Sequence, residues 1–234
     1  MTEGFLNVRD IHAYYGLNHI LFGISLDVDQ GEAVALLGRN GMGKTTTIKS
    51  IMGLLPPKSG SVWFRGANIT GAPPHANANR GLGYVPEERR IFPFLTVLEN
   101  LKVAQKNTER GWTIDKVFDL FPHLMGLKDR KGGNLSGGEQ QMLTIARTLM
   151  GNPLLVLLDE PFEGLAPLII QDLVRQLIRI KNEGVVMLLS EQNMSFAGLL
   201  LNRVYIIEKG EIRYQGSFQS FQENESVKKA YLGV

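Results

Sequence analysis

The sequence predicts an α/β fold, with a buried parallel sheet and a phosphate-gripping loop at the carboxyl end of one strand. Three observations predict it. Short, uniformly apolar runs at residues 33–37 and 154–158 read as strands buried on both faces. The first leads directly into Gly38-Arg39-Asn40-Gly41-Met42-Gly43-Lys44-Thr45, a glycine-rich turn closed by Lys and Thr. The second ends in the adjacent carboxylates Asp159 and Glu160, at a strand end, where open α/β sheets bind ligands.

The turn's residue types follow from its task. Backbone N–H groups wrap a phosphate chain closely only where the main chain can turn without Cβ atoms, which Gly38, Gly41 and Gly43 allow. Lys44 reaches the β- and γ-phosphates as a point charge, Thr45 offers a hydroxyl to Mg²⁺, and Asn40 and Thr46 complete the loop. A helix over 45–52 turns its N-terminal dipole toward the anion. An ordinary glycine turn would need neither the lysine nor those flanks.

Taken in order, residues 5–8 and 23–28 alternate as strands, with Gly16-Leu17-Asn18 as a turn between them. Tyr14 and Tyr15 precede that turn, and either stacking on a nucleotide base or sheet packing accounts for them. Stacking is assigned to Tyr15. Residues 53–60 hold two prolines and two glycines and read as loop; 61–64 is a short strand. Pro73-Pro74 and a weakly patterned stretch lead to Gly83-Tyr84-Val85-Pro86, a strand ending at proline.

From 96 to 149 the periodicity becomes helical, marked by Val97, Leu98 and Leu101, then by Ile114, Val117, Phe118 and Phe121. Asn134-Leu135-Ser136-Gly137-Gly138-Glu139-Gln140-Gln141 opens the last helix of this block. Ser136 and Glu139 have capping-box spacing, but two glycines in the first turn weaken a helix by about 1 kcal/mol each. Close approach of Ser136, Gly137 and Gly138 to an anion explains them better. Asp159 then suits metal coordination, and Glu160 the polarising of an attacking water. An amphipathic helix over 171–182, a strand over 185–190, and a hairpin of 203–208 with 211–214 complete the pattern before a polar, helix-prone tail.

Composition sets outer bounds. At 234 residues and 44% hydrophobic, the chain suits one large domain or a core with a subdomain. A net charge of +2 from interspersed acids and bases predicts no nucleic-acid partner and no bulk attraction to anionic lipid. Arg89-Arg90 and the basic run 128–131 read as solvated faces. Zero cysteines exclude disulfides and thiolate metal sites, in keeping with a cytosolic setting. No signal core opens the chain, and no apolar run is long enough to span a bilayer.

These residues together resemble the ATP-binding cassette (ABC) ATPase family over nearly the whole chain. The loop 38–45 matches its Walker A motif, Leu135-Ser136-Gly137-Gly138-Glu139-Gln140 its signature, and 154–160 its Walker B with catalytic glutamate. Gly164-Leu165-Ala166-Pro167 falls at the D-loop and Tyr15 at the aromatic A-loop. The resemblance implies a P-loop NTPase with a RecA-like core, an antiparallel β subdomain and an inserted helical subdomain. A single domain over 1–234 is implied, with 1–87 and 152–234 as core and 88–151 as helical subdomain.

The resemblance also implies the partners. A second ABC ATPase subunit, paralogous or identical, would pair head to tail, so that Ser136, Gly137 and Gly138 contact the nucleotide of the other copy. Transmembrane permease subunits, and through them a periplasmic or extracellular binding protein, would place the chain on the inner face of the cell membrane, in the cytoplasm. Lys44 and Glu160 are the implied catalytic residues; Thr45, Glu87 and Asp159 are the implied metal site. Val85-Pro86-Glu87-Glu88-Arg89-Arg90-Ile91-Phe92-Pro93, Glu163-Gly164-Leu165-Ala166-Pro167 and Glu191-Gln192-Asn193 are closest in style to the branched-chain-amino-acid uptake ATPases. Urea and amide uptake systems share that style; a slowly hydrolysing switch subunit and a soluble ABC ATPase without transport are the other readings.

Two positions depart from the family pattern. Glu87 stands where a glutamine usually contacts Mg²⁺ and water, and Glu191 stands at the switch histidine. An ionised glutamate beside a γ-phosphate would repel it. Glu191 is therefore expected to point away, leaving the polar contact to Gln192, to Asn193 or to no residue.

Overall fold

The computed structural model describes residues 4–106, 111–192 and 198–231. The chain opens with a long hairpin, β1 (Leu6–Tyr15) and β2 (Asn18–Val28). Both strands run further than the alternation suggested. Register shifts between Val8 and Ile11, Ile11 and His12, and Ala13 and Tyr14 break the period of two, which hides residues 9–15 from a pattern reading. Next come β3 (Ala33–Leu37), α1 (Lys44–Met52), β4 (Ser59–Phe64) and the two-residue β5 (Ala67–Asn68). The stretch that looked patternless holds a short helix, α2 (Pro74–Asn79), with proline at its first turn, where no N–H is needed. Its buried Asn77 donates to the Met52 carbonyl at 3.0 Å.

After β6 (Leu82–Val85) the helical block follows: α3 (Val97–Ala104), α4 (Ile114–Leu120), α5 (Pro122–Gly126) and α6 (Gly137–Met150). Thr96, Thr113 and Ser136 cap the first, second and last of these through their side-chain oxygens. Strands and helices then alternate as β7 (Leu155–Asp159), α7 (Pro167–Asn182), β8 (Val186–Glu191), β9 (Arg203–Glu208) and β10 (Glu211–Ser217), before α8 (Phe218–Glu223) and α9 (Glu225–Tyr231). The seventh helix begins four residues ahead of the predicted start, at a first-turn proline.

Among the described residues, β2-β1-β4-β5 form an antiparallel sheet and β10-β9-β3-β8-β7-β6 a second. Every pair in the second is parallel except β9 with β10. Its central strands are apolar throughout because they serve two cores. Val34, Leu36, Leu155 and Leu157 face α1 and the antiparallel sheet; Ala33, Ala35, Leu37, Val156 and Leu158 face the core formed with α6 and α7. At ~25 cal/mol per Å² of apolar area, this double burial holds the strand ends rigidly in place. Among the described residues, no helix is long and apolar enough to cross a membrane.

Candidate active site

β3 delivers the glycine-rich loop to the sheet's carboxyl edge, and α1 starts inside it at Lys44. Gly43 takes φ 110, in the left-handed region that favours glycine. A Cβ on Gly38 would stand 2.5 Å from the Ile207 carbonyl oxygen, so β9 closes over the loop only because that residue has no side chain.

The Lys44 ammonium is buried and folds back onto the loop. It donates to the Gly38 carbonyl at 2.8 Å and the Arg39 carbonyl at 3.2 Å, and lies 2.9 Å from Glu160 Oε1. Thr45, one residue on, donates its hydroxyl to Asp159 Oδ1 at 2.9 Å across 114 residues of sequence. Ser190 donates to the same oxygen at 2.6 Å, and its Oγ accepts the Glu160 N–H at 3.1 Å. Sequence reasoning missed Ser190, since a serine in an apolar strand carries no motif.

A cavity of about 330 Å³ opens over these groups, lined by Tyr15, Ile20, Asn40, Gly41, Gly43, Lys44, Thr45, Thr46, Glu87, Glu160 and Glu163. Predicted residues from four separate stretches are thus brought together. The two tyrosines are placed differently. Tyr14 lies flat on His19 with ring centroids 4.1 Å apart, whereas Tyr15 is 46% exposed and faces the cavity.

Carboxyl groups crowd this region, and three of them, Asp159, Glu87 and Glu163, are held above their ordinary range. Burial, opposed by hydrogen bonds from Ser190 and Thr45 and aided by the Glu160 charge, raises Asp159 above the usual carboxylate range. Glu87 is raised by burial and by the charges of Glu160 and Asp159. Glu163 was not singled out in the sequence, yet its carboxyl hydrogen-bonds Glu160 and is pushed up to about 7 by that bond, by burial and by the Glu160 charge. The signal was available: the turn donating Glu163 N–H to the Glu160 carbonyl puts residues three apart on one side. Glu160 itself has φ 46, a strained conformation for a non-glycine residue, held by Ser190 at both its carbonyl and its hydroxyl.

Glu191 does turn from the cavity, onto the main chain. Its carboxylate accepts the Phe162 N–H at 3.0 Å and the Gln192 N–H at 3.2 Å. The premise that it is fully ionised is corrected: burial pushes it up to about 7, against the lowering effect of those two amides. Gln192 donates its side-chain amide to Asn40 of the loop, while Asn193 lies outside the described residues.

Ser136, Gly137 and Gly138 do not line this cavity. Ser136 Oγ accepts the Glu139 N–H and Glu139 Oε2 accepts the Ser136 N–H at 2.7 Å, so the capping box is present. The glycines also have a reason within the chain. A Cβ on Gly138 would meet Ile169 Cγ2 at 2.9 Å, and one on Gly137 would meet Arg89 Nη1 at 2.6 Å. Approach of an anion is therefore not needed to explain them.

Chemically, the site offers a backbone cradle at a helix N-terminus, a buried cation, and a carboxylate beside it. Thr45, Asp159 and Glu87 supply hard oxygen donors of the kind a divalent cation takes. Among the described residues no group of three or more His, Cys, Asp or Glu forms a metal cage, which fits a cation held by one or two protein oxygens with water and substrate oxygens completing its shell.

The sequence profile of the ABC transporter family matches residues 21–163. The chain is 39% identical over 231 residues to the high-affinity branched-chain amino acid transport ATP-binding protein BraG of Pseudomonas aeruginosa, covering 97% of this chain and 99% of that protein. It is 34% identical to the lipopolysaccharide export system ATP-binding protein LptB of Escherichia coli, covering 97% of each. Among solved structures, the ADP conformation of an ATP-binding cassette of an ABC transporter superposes with a TM-score of 0.83 at 27% identity, covering 99% of this chain and 98% of that one.

Proposed function

The chain belongs to the ABC transporter family of ATP-binding proteins, and on that premise we propose that it is the ATP-hydrolysing motor of a membrane importer for branched-chain or other hydrophobic amino acids. One observation carries the ATPase chemistry: Lys44, Thr45 and Glu160 line a single cavity at the mouth of the glycine-rich loop, with Asp159 hydrogen-bonded to Thr45. Similarity to BraG supports the substrate class, and the style of residues 85–93 and 163–167 agrees with it.

In this reading the triphosphate lies against the amides of residues 39–45, and adenine stacks on Tyr15. Lys44 exchanges Glu160 for the β- and γ-phosphate oxygens. Glu160, freed of its partner, accepts a proton from the water that attacks the γ-phosphorus, the bond to the bridging oxygen breaks, and ADP and phosphate leave. Mg²⁺, held by Thr45 and Asp159 with Glu87 at the rim, would neutralise charge on the phosphates. Ser136, Gly137 and Gly138 are assigned to the nucleotide of a second ABC subunit. Residues 88–151 are taken as the helical subdomain, whose exposed Phe92 and Phe94 suit a transmembrane permease.

Glu191 in place of a histidine favours a slow site, so a subunit that mainly binds ATP is the second reading. Export is kept as an outcome because of the likeness to LptB, alongside urea or amide uptake and a soluble ATPase without transport. Purification from membranes with its permease, followed by ATPase assays with a loaded amino-acid binding protein, tests the proposal. Stimulation by leucine-loaded protein supports it; stimulation only by another cargo, or purification with no membrane subunit, overturns it.

A further inference from the structure

Arg89 was read as a solvated residue, and its geometry says otherwise. It stands between Glu87, at the cavity, and α3, with its backbone at φ 49. Nη2 donates to the Glu163 carbonyl at 2.7 Å. Nη1 lies 2.6 Å from where a Cβ on Gly137 would be, and Nη2 lies 3.6 Å from the same point on Gly164. One planar cation therefore bonds the loop that follows Glu160 and occupies the space left by the missing side chain of the first residue of α6.

Helix stability does not account for this. A cation at a helix N-terminus opposes the macrodipole, so the contact costs α6 a little rather than steadying it. The arrangement instead uses arginine's rigid planar fork, one nitrogen of which donates to the Glu163 carbonyl while the other fills the space a Gly137 side chain would take. A side chain on Gly137 would displace the fork, and without the fork the Glu163 carbonyl loses its charged donor.

We propose that Arg89 is a positioning residue that holds the start of α6 and the loop after Glu160 in one register. It thereby couples the residues acting on this chain's nucleotide to those acting on the partner's. The inference rests on the assignment of Ser136, Gly137 and Gly138 to the partner's nucleotide made above. The charged hydrogen bond to Glu163 anchors the guanidinium on the loop, and the start of α6 packs against its other edge, so α6 can move toward that loop only by displacing the guanidinium from its acceptor.

The test uses Arg89→Met, which keeps the stem and removes the donors, and Arg89→Lys, which keeps the charge and removes the fork. Both are made in the full chain assembled with its permease. Because the chain has no cysteine, Met125→Cys on α5 and Gln30→Cys between β2 and β3, both at exposed positions, are its only two labelling sites when the purified chain is spin-labelled before assembly. For Arg89→Met the expected result is a melting temperature and a fluorescent-ATP affinity within about twofold of wild type, a fall in kcat of about tenfold, and a broadened label-to-label distance. Arg89→Lys is expected to recover part of kcat and part of the narrow distance. An unchanged kcat, an unchanged distance distribution, or a loss of ATP affinity matching the loss of rate overturns the proposal. Should the wild type bind no ATP, the function proposed above fails instead, while the distances still report whether Arg89 clamps the two loops.

Discussion

Lys44 Nζ and Glu160 Oε1 are 2.9 Å apart, with both side chains almost closed to solvent. The cation and the carboxylate neutralise each other. Under the proposed function, a triphosphate has to break this buried ion pair before Lys44 can form a new one, and the same event releases Glu160.

Glu160→Gln removes the competing charge without changing shape. ATP affinity is expected to rise, and hydrolysis to fall by about 10²–10⁴-fold, the usual contribution of a general base. Equilibrium nucleotide titration and single-turnover kinetics check both. An unaltered rate removes Glu160 as the base.

Lys44→Ala leaves Glu160 buried without its cation. Nucleotide binding is expected to disappear, and stability to drop by about 3 kcal/mol, as when one member of a buried pair is deleted. Adding Glu160→Gln to Lys44→Ala restores most of that stability, because no uncompensated charge remains. Thermal melts of the two single variants and the double variant measure the coupling; simple additivity would contradict the pairing.

Glu191 makes stability depend on pH. Its carboxyl titrates near 7 in the folded chain and near the ordinary carboxylate value when unfolded, so the folded state binds more protons between those values. The contribution is fully present below about 4.5 and is lost as pH rises through about 7. Glu191→Gln, which stays neutral, escapes the loss. Its melting temperature relative to wild type is expected to climb between pH 5 and pH 8, and a flat difference would refute the burial effect.

Tyr15 and Tyr14 are adjacent in sequence and differently placed, one at the cavity and one on His19. Tyr15→Ala is expected to weaken ATP binding by about 1–3 kcal/mol, the worth of one base–aromatic stack. Tyr14→Ala disturbs the His19 stack and leaves ATP affinity nearly unchanged. Equal losses in the two variants, measured by titration with ATP, would remove the stacking assignment.

Much of this protein was legible without coordinates. The two central strands are continuous apolar runs because each faces two cores, and a residue's hydrophobicity is its own property. The glycine-rich loop, Lys44, Thr45 and the carboxylate pair at the end of β7 are likewise local, since spacing along one turn decides what their backbones and side chains can reach. Helix starts at Thr96 and Ser136 were readable for the same reason.

What needed the folded chain was everything set by approach from a distance. Thr45 meets Asp159 across 114 residues, and strand order in the large sheet pairs β3 with β8 and β9 rather than with its sequence neighbours. Burial moved Glu191 toward neutrality, although it read as an ordinary ionised acid. The surroundings that shift a carboxyl group come from other segments, so no local pattern contains them. The same holds for Arg89: beside a second arginine it reads as surface charge, and only the fold brings its guanidinium onto the Glu163 carbonyl and over Gly137.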